Sequence, residues 1–321
     1  LTAEDLPLIN WFFQGFSSYP FCYTLPTPKS GNLDQPTLVD QSLVQESPLA
    51  MMAAILNQET VKQELTLSEA DRKAIVDRLG RSQWTWDVEP ALQFAAVGER
   101  VHPESPFSVV RRYHLLEVLE THHGREAFEF IESLSGDEFK RAVGLMVRQN
   151  HYVTTQCKKA LRPAIAIAGQ AAAEVEEFCK EEMGHDLILG VAMKTLAEHA
   201  EAVPVTPQTK FLMELLRFAA SRNFLAFALI VDGFERSSYE KVDPLARLLE
   251  KGGFQQAANQ INRHMQINDA GEHENVAQGF LATMAPVDRH YATEAIRLAE
   301  LTTLVMNSVT TAALDLYRQQ A

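Results

Sequence analysis

From Pro48 onward, apolar residues recur every three or four positions, as in the run Phe107, Val110, Tyr113, His114, Glu117. That spacing lays a stripe of side chains along one face of an α-helix. The pattern predicts helices over 48–64, 68–80, 88–98, 107–123, 125–134, 137–168, 171–199, 207–222, 224–238, 243–250, 253–268, 272–284 and 287–319. Starts are marked by Ser68 with Glu69–Asp71, by Ser135 with Asp137–Glu138, and by Thr206-Pro207. Gly124 and Gly252-Gly253 are suited to helix stops. The stretch Phe224–Val231 is apolar on every side and predicts a helix buried all round. No alternating run of Val, Ile or Thr bounded by turn residues occurs, so no sheet is expected. The expected fold class is all-α.

Before Pro48 the pattern differs. Residues 2–16 read as a short aromatic helix with Pro7 in its first turn. Residues 17–47, with Pro20, Pro26, Pro28, Gly31 and Pro36, read as a loop or arm whose Tyr19, Phe21 and Tyr23 pack it onto the body.

Composition narrows the function. The chain has 321 residues, 46% hydrophobic and 22% charged, enough for a large core. A net charge of −13 argues against nucleic acid and anionic membranes as partners. The longest apolar run, Phe224–Val231, is too short to span a bilayer. Cys22, Cys157 and Cys179 show no disulfide or metal spacing, which favours a reducing, cytoplasmic setting.

Candidate chemistry centres on Glu181-Glu182-Met183-Gly184-His185. On a continuous helix Glu182 and His185 share a face and can grip one metal ion. Glu181 is the alternative carboxylate, and a solvated acidic face is the plain structural reading. Glu235 ends the apolar Phe224 helix; it either needs a buried partner or pairs outside with Arg236 or Lys241. A second knot runs from His264 to His273. Asp269 and His273 stand four apart, and His264 joins them if the helix carries a bulge. Alternatively Asn268-Asp269-Ala270-Gly271 is a helix stop followed by a new start. His151 either faces the same cavity or is a hydrogen-bonded core histidine. Glu120 to His123 abuts Gly124 and reads as helix-end surface.

Three features from about Gly136 onward carry a family resemblance. They are the helix with Arg148-Gln149-Asn150-His151-Tyr152 and the later Pro163, the Glu181–His185 helix, and the late His264, Asp269, His273 helix with a long final Ala/Leu-rich one. In these the chain resembles the heme-oxygenase-like superfamily, with its thiaminase-II-like and pyrroloquinoline-quinone-synthase-like proteins. The nearest resemblance is to its di-iron oxidases and oxygenases. Two positions depart from that pattern: no Glu stands in Val147–His151, and Asn268 and Gly271 replace an Asp and a His. The resemblance implies a helical bundle over 136–321, preceded by an N-terminal arm and helical extension over 1–135. It implies an oxidase or oxygenase acting on a small-molecule metabolite, with Fe(II), one or two per chain, and O2 as co-substrate. Implied metal ligands are Glu182, His185, Glu235, His264, Asp269 and His273; His151 and Glu235 are the candidates for acid–base work. It leaves room for a homodimer. The alternatives are a metal-free acid–base enzyme of the same fold and a non-catalytic helical binding protein.

Overall fold

The caps that the sequence marks organise the helices. The computed structural model describes residues 44, 46–58, 67–81, 83–93, 95–97, 100–121, 125–200, 203–235, 243–270 and 273–320. Ser47 accepts from Ala50 N and opens α1 (Pro48–Leu56). Ser68 and Asp71 form a reciprocal capping box on α2 (Glu69–Leu79), which Gly80 closes in the left-handed region. Next come α3 (Glu89–Gln93), α4 (Glu104–Thr121), α5 (Arg125–Ser133) and α6 (Gly136–Leu161). The predicted stop at Gly124 lies outside the described residues.

After α6, Pro163 sits in a short 3-10 turn, Arg162–Ala166, so the helix expected over 137–168 ends earlier. Then follow α7 (Ala172–Glu181), α8 (His185–Thr195), α9 (Ala197–Ala200), α10 (Pro207–Arg222) and α11 (Phe224–Glu235). Thr206 caps α10 by accepting from Thr209 N, and every residue of Phe224–Asp232 is buried. The chain closes with α12 (Pro244–Lys251), α13 (Gln255–Ala270), α14 (His273–Ala282) and α15 (Arg289–Gln320). No helix among the described residues is long and apolar enough to cross a membrane.

The fold is an all-α helical bundle. Two expectations need correction. The helix predicted over 88–98 stops at Gln93, and Ala95–Val97 is a strand, β1. It pairs antiparallel with β2 (Arg100–Val101), which pairs with β3 (Val287–Asp288). These strands are two or three residues long, too short for alternation to mark them. The helix predicted over 171–199 is broken at Glu182–Gly184 and again at Leu196.

Every described residue lies in one compact unit, Gln35–Ala321. Within it the buried apolar side chains form two clusters. The larger includes Met51, Ile75, Phe178, Phe211, Phe227, Phe280 and Leu301. The other includes Ile131, Val143, Leu189, Leu248, Ile261 and Tyr317. The chain crosses between them on α6 (Val147 to Ala160), from α7 to α8 (Cys179 to Leu189) and from α11 to α12 (Val231 to Leu245). It crosses again from α13 to α14 (Ile261 to Ala277) and within α15 (Val305 to Ala313). Each candidate residue named above falls on one of these crossings.

Candidate functional site

The break between α7 and α8 builds the centre of the site. Glu182 is the C-cap of α7, Gly184 turns the chain with φ 107°, and His185 is the first residue of α8. Only glycine adopts that backbone without strain. The Glu-x-x-His spacing therefore works through a turn between helices rather than along one helix face. The turn also separates the two candidate carboxylates: Glu182 is 7% exposed, whereas Glu181 faces out.

His185 Nδ1 lies 3.0 Å from Glu182 Oε2, and both side chains are buried. α8 packs against α13, which brings His264 Nε2 to 3.2 Å from the same His185 Nδ1, the two rings standing edge to face. A ring nitrogen carries either one proton or one lone pair. His185 Nδ1 can therefore donate to Glu182 or accept from His264, but not both. A carboxylate oxygen and two imidazole nitrogens are donor types that suit a cation. Two ligand atoms about 2.1 Å from one ion stand roughly 3.0–3.4 Å apart at octahedral or tetrahedral angles. The two observed separations fall within that span.

The described side chains do not by themselves close a cage. Among the described residues, no group of three or more His, Cys, Asp and Glu converges as a cation site. Asp269 lies near the end of α13 and His273 starts α14, so the stop-and-start reading of that stretch holds and the two do not share one helix. Their side chains, and Glu272, lie outside the described residues.

Sequence reasoning missed two thiols beside this cluster. Burial pushes the Cys157 thiol well above its usual range, and the charges of Glu182 and Glu235 and the nearby Cys179 push it further. Cys179 is held up at about 11 by burial and by Glu182. Both cysteines are free; Cys22 lies outside the described residues. Glu235, at the end of α11, therefore reaches the same neighbourhood electrostatically. Its suggested partners Arg236 and Lys241 lie outside the described residues. No sequence signal could reveal the surroundings of Cys157, because Glu182, Glu235 and Cys179 come from other helices.

His151 sits apart from the cluster. It lines a cavity of about 390 Å³ with Arg148, Gly190, Met193 and Lys194, between α6 and α8. Burial and Arg148 hold its pKa below the ordinary value, against a smaller upward pull from Asp186. Near it, Gln149 is fully bonded: it donates to Pro204 O and accepts from Thr206 N and Thr209 Oγ1. That network ties α6 to the start of α10. No family model, curated protein or solved structure matches the chain.

Proposed function

We propose that this chain is an oxidase or oxygenase that uses Fe(II) and O2 on a small-molecule metabolite. The observation that carries the reading is the approach of buried Glu182 and half-buried His264 to buried His185, at 3.0 and 3.2 Å. The resemblance to heme-oxygenase-like di-iron enzymes points the same way, since carboxylates with neutral imidazoles suit Fe(II). Helical bundles place such sites on inward-facing side chains.

Glu182, His185 and His264 would hold the metal, with Glu235, Asp269 and His273 as further ligands. The metal's contribution would be to pass electrons to O2. The chain's own contributions are physical. Glu182 fixes the ring of His185. The raised pKa values keep Cys157 and Cys179 as thiols, the form that resists oxidation.

A second reading has its own observation. Glu182 and His264 each lie within hydrogen-bond distance of His185 Nδ1, so one of them at a time can exchange a proton with that imidazole without metal. In that reading Glu235 does acid–base work there, and His151 does so separately in its own cavity.

The experiment is to purify the protein after growth with iron and measure bound metal and O2 uptake on Fe(II) addition. Bound iron with O2 uptake is expected. His185→Ala, Glu182→Ala and His264→Ala should each weaken iron binding by about tenfold or more, with helical content retained. Glu181→Ala should bind as the parent does. If His185→Ala retains full iron binding, the reading is wrong; turnover without metal would favour the second reading.

A further inference from the structure

The cavity between α6 and α8 is cationic although the chain as a whole is acidic. Its walls carry Arg148, Lys194 and His151, and among the described residues no carboxylate lines it. The chain as a whole carries −13. Lys194 stands in the last turn of α8, where a cation is favoured anyway. Arg148 has no such explanation: it sits mid-way along α6. Its Nε and the Nδ1 of His151 are both buried without a hydrogen-bond partner among the described residues. A buried, unpartnered guanidinium nitrogen is costly unless a ligand engages the group.

Gly190 supplies an independent observation. It lies inside α8 in ordinary helical backbone, where glycine weakens a helix relative to alanine. A Cβ placed there would meet no atom within 4 Å. No neighbour therefore requires the missing side chain, and its effect is to leave the cavity wall bare. The volume falls in the range of pockets that take small metabolites.

We infer that the cavity between α6 and α8 binds a small metabolite through its oxyanion, a carboxylate or a phosphate, held by Arg148 and Lys194 with His151 beside them. Arg148 offers the planar fork that oxyanions accept in pairs, and Lys194 a mobile point charge at the rim. Asp186 lies within electrostatic reach of His151. The inference does not depend on whether Glu182, His185 and His264 take a metal.

The test is calorimetric titration of the full, metal-free chain with inorganic phosphate, glycerol phosphate, succinate and citrate. Saturable binding of at least one is expected, and the member that binds tells phosphate from carboxylate. Arg148→Gln and Lys194→Gln should each weaken it roughly tenfold, the usual effect of losing a charge-assisted contact. Gly190→Leu should fill the cavity and abolish binding without lowering the melting temperature. Lys159→Gln, in the separate cationic cleft with Lys210 and Arg217, should leave binding unchanged. Absence of saturable binding by the folded parent overturns the inference. So does equal weakening by Lys159→Gln, which would reduce the effect to general charge. Should Arg148→Gln fail to fold, Lys194→Gln and Gly190→Leu decide.

Discussion

Glu181 and Glu182 differ by one position, and spacing alone could not choose between them, since both lie about one turn from His185. Burial chooses: Glu182 is enclosed and bonded to His185, while its neighbour faces out. The pairing of Glu182 with His185 was thus legible from sequence, and the arrival of His264 was foreseeable only as one option among several. Cys157 was not legible, because the charges around it belong to residues from α7 and α11. A testable consequence concerns reactivity. A thiol held at about 11 is almost wholly protonated at neutral pH, and the thiolate is the nucleophile. Peptide-resolved alkylation at pH 7.5 should label Cys157 and Cys179 at least about tenfold more slowly in the folded than in the unfolded protein. Rapid labelling of either in the folded state would contradict the burial described.

At the level of elements, most helices follow from apolar periodicity and caps, whereas the breaks do not. Apolar positions continue through the α7–α8 break, with Phe178 and Cys179 before it and Leu189 and Ala192 after it, so the period hides the turn. The only local sign is Gly184, and a glycine inside a helical pattern is often tolerated. Replacing it with Ala forces a side chain into left-handed backbone. That should cost about 1–2 kcal/mol in denaturant unfolding and shift the spacing of Glu182 and His185. The α10–α11 break has a different cause. Asn223 Oδ1 accepts from Ala226 N, while Nδ2 donates to Tyr291 O and Glu294 Oε2. Phe224 N finds its acceptor in the Tyr291 hydroxyl. Asn223→Ala should therefore destabilise by about 2 kcal/mol, since it removes a cap and strands buried acceptors together.

Over the whole molecule, fold class is legible because helical periodicity needs no knowledge of partners, but the division into two apolar clusters is not. Which stripe joins which cluster depends on packing between segments far apart in the chain. His151, on one of the crossings, also marks a pH response. Its pKa is lowered in the folded protein, so the unfolded state binds more protons just below the ordinary histidine value of about 6.5. Its contribution to stability is present above that value and is lost as pH falls through the folded value. His151→Gln should flatten the fall in melting temperature on moving from pH 7 to pH 5; an unchanged slope would remove His151 as its source. Lastly, α15 clasps the segment from Arg78 to Glu89 and packs against α1. Arg78 pairs with Asp315 and Arg289 with Glu89, partners 237 and 200 positions apart. Glu300, 1% exposed, accepts from the backbone of Thr85 and Trp86. On the ribosome these partners are made late. α1 packs against α15 as well as α2, so Met51, Met52 and Ile55 keep part of their apolar surface uncovered until α15 is made. Nascent chains stalled at Pro286 should accordingly recruit chaperones through the 48–56 segment and leave it open to protease, and both signals should vanish once α15 is released.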